Sequence, residues 1–162
     1  MLRGARLSFD AAIAAGSAVK LDATAAGVLG RVSGYGAIFN ATPNRRGFRL
    51  MANAFTRSRH AVPLPMLWCH AQPVGRWDEV HQDERGLRLH GELNLDVELG
   101  RRALAHIKHG DTLGLSVGFT VAKTAGAVID RDGVLEVHDA DLLEVSITPV
   151  PAEPAARIDS LQ

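Results

Sequence analysis

The stretch Gly86-Leu87-Arg88-Leu89-His90-Gly91-Glu92-Leu93-Asn94-Leu95 decides the class of fold. Leu87, Leu89, Leu93 and Leu95 fall on one side with Gly91, and Arg88, His90, Glu92 and Asn94 fall on the other. A period of two belongs to a strand with one buried face, because successive side chains point to opposite faces. The neighbouring sequence reads the same way. Residues 31–39 form a strand punctuated by glycines, with bulges expected at those glycines. Residues 63–69 and 74–80 read as two more strands, and residues 112–121 as another. A hairpin is expected around Asp130-Arg131-Asp132-Gly133, followed by a last strand over 142–148. Pro149, Pro151 and Pro154 then end regular structure.

Helical spacing is convincing only over residues 96–109. There Val97, Leu104 and Ile107 fall near one face beside Ala103, Lys108 and His109 occupy the last turn, and Gly110 stands at the C′ position. A second, short helix is expected over 52–60. About seven strands with one or two helices predict a mostly β fold with peripheral helices, an antiparallel sheet or barrel.

The 162 residues suit one domain with a real core. Residues 1–28 are rich in Ala, Gly and small polar residues and read as a loosely ordered leader. The domain proper is expected over 29–158, with a tail over 159–162. Apolar residues make up 46% and charged residues 22%, as in ordinary globular proteins, and the formal net charge is zero. Nothing here predicts a general attraction to nucleic acid or to acidic lipid, and Arg45-Arg46 and Arg101-Arg102 read as solvated faces. A single cysteine, Cys69, excludes an internal disulfide and a cysteine-rich zinc site and fits a reducing compartment. The residues 11–18 are alanine-rich but interrupted, so neither a signal peptide nor a transmembrane helix is expected.

Two strings carry the chemistry. In Leu113-Gly114-Leu115-Ser116-Val117-Gly118-Phe119, a strand puts Gly114, Ser116 and Gly118 on one face and the large apolar residues on the other. A serine flanked on its own face by glycines has room for another chain to approach, which makes Ser116 a candidate nucleophile and the two glycines candidate substrate contacts. The string Leu67-Trp68-Cys69-His70 supplies a candidate base in His70. A serine hydroxyl needs such a base, and the base needs an orienting third group. On the last strand Leu142, Glu144 and Ser146 share a face opposite Leu143, Val145 and Ile147. A carboxylate amid apolar residues is costly to bury alone, so Glu144 is the first choice for orienter, with Asp141 and His138 in reserve.

Other constellations are weaker. Cys69 and His70, adjacent on a strand, would face opposite ways and form no dyad unless the strand breaks. His106 and His109 are spaced to share a helix face, yet nothing near them completes a metal pattern, and no metal or other cofactor is expected. Gly114 to Gly118 also fits the G-x-S-x-G elbow, but that motif needs a helix after the serine and this sequence continues as strand.

Four segments in order resemble the caudoviral prohead protease family, the capsid-maturation serine proteases of tailed phages and related particles. They are Gly34-Tyr35-Gly36-Ala37-Ile38-Phe39-Asn40, Leu67-Trp68-Cys69-His70 with Pro73-Val74-Gly75, Gly110 through Phe119, and Leu142 through Ala152. The resemblance covers residues 30–158. It departs between Thr42 and Phe55, where Asn44-Arg45-Arg46-Gly47 and Ala52-Asn53-Ala54-Phe55 replace the family's acidic, glycine-rich turn and Pro-Gly-Ala-Phe-like string.

The resemblance implies the fold of herpesvirus assemblin, a closed antiparallel β-barrel ringed by helices, with Ser116 as nucleophile and His70 as base. The third member is a histidine in assemblins, where the matching strand here offers Glu144. It further implies an endopeptidase acting on the scaffold region of the major capsid protein and on itself. Such an enzyme would work as a homodimer inside procapsids in the bacterial cytoplasm. A catalytically inactive scaffold or capsid-binding module of the same fold is the alternative. A small ligand-binding barrel is a third reading, and it would leave Ser116 and His70 apart.

Overall fold

The computed structural model describes residues 30–162, apart from 45, 59 and 124, together with two short strands near the N-terminus, β1 (Leu7–Ser8) and β2 (Lys20–Leu21). The rest of the expected leader lies outside the described residues. From residue 30 onward the order is β3 (Arg31–Ile38), β4 (Phe48–Leu50), β5 (Leu64–Trp68), β6 (Gln72–Gln82), β7 (Gly86–Leu93) and α1 (Glu98–His109). Then follow β8 (Gly114–Val121), β9 (Ala127–Ile129), β10 (Leu135–Val137), β11 (Ala140–Thr148) and β12 (Ile158–Leu161).

The strand with the clearest alternation is built as its pattern requires. Leu87 and Leu89 are wholly buried and Leu93 nearly so, while His90 is exposed and Arg88 and Glu92 are half-buried. β7 pairs with β6 on one side and β3 on the other, both antiparallel. The register of β3 slips between Tyr35 and Ala37, a bulge at Gly36 as the glycines suggested. A Cβ on Gly36 would lie 2.7 Å from a Leu89 methyl, so glycine lets the bulge sit on the core without displacing that side chain.

Among the described residues, nine strands form one sheet in the order β1-β8-β11-β5-β6-β7-β3-β12-β2, and β4, β10 and β9 form a second, smaller sheet. The expected closed barrel is therefore corrected. The large sheet curls into a half-barrel with β1 and β2 at its free edges. β8 and β3 do not pair where a barrel would close. On the side away from β11, the start of β8 meets, among the described residues, a single bridge, Gly114 to Arg157, with the Leu115 N–H donating to the Ala156 carbonyl at 2.9 Å. The physical reason is in the preceding segment. Pro149, Pro151 and Pro154 lack amide hydrogens, so that segment cannot extend a ladder.

The interior of the curl holds Trp77, Leu64, Met66, Leu87, Leu89, Leu115, Val145 and Ile147, all essentially inaccessible. Phe119 of β8 meets Phe48 and Phe55 edge-on, with ring centroids 5.9 and 6.0 Å away, and so ties the small sheet to the large one. Residues 52–57 form turns rather than the expected helix, with Ala54 and Phe55 buried. Ala54 hands its carbonyl to the Ala140 N–H, a tertiary hydrogen bond that helical spacing does not foretell.

In α1 the buried face is Gly100, Ala103, Leu104 and Ile107, and Gly110 closes the helix at φ 84°. Val97, expected on that face, lies just before the helix and is 38% exposed. The C-terminal residues read as a tail contribute most of β12, which pairs with β3.

The Trp77 indole N–H donates to the Val145 carbonyl at 3.0 Å within the core. Trp77→Phe is expected to lower the unfolding free energy by about 1–3 kcal/mol, from the lost hydrogen bond and the smaller ring. Urea denaturation checks this as a lower midpoint at unchanged slope.

Candidate active site

Three adjacent strands, β8, β11 and β5, build the site. β11 runs antiparallel to β8 and parallel to β5. The β8 register sets Ser116 opposite Ser146 and Gly118 opposite Glu144, while β5 brings Leu67 beside Ser146. The segment after β5 is therefore delivered to the same place as Ser116. The α/β-hydrolase reading of the serine string is excluded here, since β8 runs on to Val121 with no helix after Ser116.

His70 is not on a strand. β5 stops at Trp68, and Cys69 and His70 turn the chain with φ of 50° and 60°. Two successive non-glycine residues in left-handed conformation cost about 1–3 kcal/mol each. Three hydrogen bonds hold the turn. Cys69 N–H donates to the Ile147 carbonyl at 3.0 Å, His70 N–H to Ser146 Oγ at 2.9 Å, and Ala71 N–H to the Trp68 carbonyl at 3.0 Å. Two of these acceptors lie on β11, so that strand fixes the turn. The strand break does free Cys69 from alternation with His70. Its thiol nevertheless points to Thr148 Oγ1, 3.9 Å away, and not to the imidazole.

The imidazole bridges the other two candidates. Its Nε2 lies 3.1 Å from Ser116 Oγ and its Nδ1 lies 2.6 Å from Glu144 Oε1. An ionised carboxylate only accepts hydrogen bonds, which assigns the ring proton to Nδ1 and leaves Nε2 to accept from the serine hydroxyl. Glu144 Oε2 accepts from Ser146 Oγ at 2.8 Å. The His70 and Glu144 side chains are each 12% exposed, and Ser116 is buried to 3%, so water competes weakly for these bonds. Of the three residues considered for the orienting position, Glu144 is the one on the ring. His138 bonds Glu136 at 3.2 Å, and Asp141 stands opposite Thr120, further along β11.

The glycines beside Ser116 do not leave the open space expected for a substrate. A Cβ on Gly118 would sit 2.1 Å from Glu144 Oε1, and one on Gly114 would sit 2.0 Å from the Pro151 ring. The room is filled from within the chain, by the carboxylate and by the proline. Simple alternation also fails on β11. The register shifts between Leu142 and Glu144, and this bulge turns Leu143 outward to 45% exposure while Leu142, Val145 and Ile147 stay buried. Ser146 carries two of the site's hydrogen bonds, yet its sequence position showed only that it shares Glu144's face.

A cavity of about 20 Å³ touches Ser116 and is lined also by Gly36, Phe48, Leu115 and Glu153. Burial raises the Glu153 carboxyl above the usual range. His106 and His109 both turn to Asp111, at 2.6 and 2.7 Å, and these hydrogen bonds hold its carboxyl below the usual range. Among the described residues, no three His, Cys, Asp or Glu side chains cluster as a metal site would require. Among them, too, no helix is long and apolar enough to cross a membrane.

This arrangement suits nucleophilic acyl transfer, with a serine, a base in hydrogen-bond contact and a carboxylate behind the base. It is incompatible with the reading of a ligand-binding barrel that keeps Ser116 and His70 apart. Comparison with known sequences points the same way. The sequence profile described as caudovirus prohead serine protease matches residues 17–162. The prohead protease of Enterobacteria phage HK97 is 31% identical over 144 residues, which cover 86% of this chain and 63% of that protein. The chain thus spans under two thirds of that relative's length. Among solved structures, KSHV protease in complex with a hexapeptide phosphonate inhibitor is similar with a TM-score of 0.49 and 18% identity, over 73% of this chain and 58% of that one. With its profile matched across nearly its whole length, the chain belongs to the caudovirus prohead serine protease family.

Proposed function

We propose that this protein is a serine endopeptidase of capsid maturation. The observation that carries the reading is the unbroken chain from Ser116 Oγ through the His70 ring to Glu144, at 3.1 and 2.6 Å. His70 Nε2 takes the hydroxyl proton as Ser116 Oγ attacks a peptide carbonyl carbon. The resulting imidazolium is held by the Glu144 carboxylate and gives its proton to the leaving amine, which departs with the bonding pair of the C–N bond. Water, deprotonated by the same ring, then cleaves the ester and regenerates the hydroxyl.

The substrates proposed are the scaffold region of the major capsid protein and the protease itself. The proposed setting is the interior of the procapsid in the host cytoplasm, and the proposed assembly is a homodimer. Family membership and the name of the phage HK97 relative support these assignments. An inactive scaffold of the same fold would need none of the His70 and Glu144 geometry, which favours the enzyme.

Co-expression with the capsid protein of its own particle tests the reading, with intact masses recorded for both chains. Wild type is expected to shorten the capsid protein, and Ser116→Ala to leave it whole while remaining folded. Cleavage by Ser116→Ala would remove the serine from the mechanism. Binding without cleavage by both forms would establish the scaffold reading instead.

Two further substitutions address Glu144. Glu144→Gln is expected to slow turnover by about 10²–10⁴-fold, since it removes the charge that holds the ring. Gly118→Ala is expected to cost about 10²-fold by pushing the carboxylate off the ring, with little change in the melting temperature. Time courses of peptide cleavage measure both, and a wild-type rate in Gly118→Ala would disconnect that glycine from the site.

A further inference from the structure

We propose that Ser146 is a positioning residue of this active site, locking Glu144 and His70 to each other through one hydroxyl. The inference rests on the protease reading above. Ser146 is wholly buried and is the residue of β11 directly opposite Ser116. Its hydroxyl has one hydrogen and two lone pairs. An amide N–H can only donate, so the 2.9 Å bond from His70 N–H ends on the serine oxygen. The single hydroxyl hydrogen is then directed to Glu144 Oε2, 2.8 Å away. The first direction is forced by the amide, and the second by a carboxylate that can only accept.

The consequences fall on the two groups behind Ser116. Glu144 has one oxygen on the ring and the other on Ser146, so the carboxylate plane cannot rotate without breaking one bond. His70 is held at its backbone, within a left-handed turn that a regular strand would not produce. Full burial keeps bulk water from competing for these partners with the hydroxyl. Removing it strands the His70 N–H and one carboxylate oxygen together. Ser146 itself does not contact the reacting atoms, so its influence runs through the orientation of the ring.

The test uses a peptide spanning the capsid-protein junction found by mass, with steady-state kinetics for wild type, Ser146→Ala, Ser146→Cys, Ser146→Thr, Glu144→Gln and the Glu144→Gln/Ser146→Ala double variant. Melting temperatures are recorded for each. Ser146→Ala is expected to lower kcat by about 10–100-fold with KM within about twofold. Ser146→Cys preserves side-chain shape but donates weakly, and the same loss is expected. Ser146→Thr keeps the hydroxyl and is expected to recover most of the rate. In the Glu144→Gln background the alanine change is expected to cost clearly less than in wild type, because the carboxylate it would position is gone and only the His70 amide bond is left to lose.

Wild-type kcat in Ser146→Ala, or an equal loss in both backgrounds, overturns the proposal. Those results come from an enzyme whose wild type cleaves. A wild type that cleaves nothing overturns the protease reading instead.

Discussion

A carboxylate on a half-buried strand has to be met by hydrogen-bond donors, and the arrangement around Glu144 follows from that requirement. One oxygen receives the His70 ring N–H and the other the Ser146 hydroxyl. The carboxylate reaches this position because residue 118 has no side chain, its oxygen occupying the place a Cβ would take. The same two bonds that satisfy the charge orient the imidazole and direct its free nitrogen at Ser116. Satisfaction of a buried charge and alignment of the candidate base are here one geometric condition.

β11 is the strand through which that condition is imposed. It lies between β8 and β5, carries Glu144 itself and receives Ser116 from one neighbour and His70 from the other. Antiparallel pairing fixes Ser116 residue by residue. Parallel pairing ends at Ile147 and Trp68, after which the Cys69 and His70 amides, donating to the Ile147 carbonyl and the Ser146 hydroxyl oxygen, take over the tight turn. From the interior side, Trp77 holds the Val145 carbonyl. The bulge at Leu143 then separates the two halves of β11, so that Leu142 and Val145 both face apolar surroundings although they are three residues apart.

The curl of the sheet stops short of a barrel for a local chemical reason. A closing seam needs consecutive amide donors, and the chain that reaches β8 has prolines at 149, 151 and 154. It contributes one bridge at Arg157 and lays Pro151 in the space beside Gly114. The glycines on Ser116's face thus admit parts of this chain, where local sequence alone suggested an approaching substrate.

Alternation and composition determined β3, β5, β6, β7, β8 and β11, because burial of one face leaves a period of two that needs no partner to be visible, whereas β4 and β12 were not legible. Alternation and composition also singled out Ser116 and Glu144, whose types are unusual on their own strands, and His70, which follows an apolar run. Only the tertiary structure decided what depends on register and on backbone conformation. It put His70 in a left-handed turn, turned Leu143 outward, left the sheet open and gave Ser146 its two bonds. Each of these is settled by contacts between residues far apart in the chain. A hydroxyl on Glu144's face reads in sequence like any small polar residue, until pairing with β5 brings the His70 amide to within 2.9 Å of it.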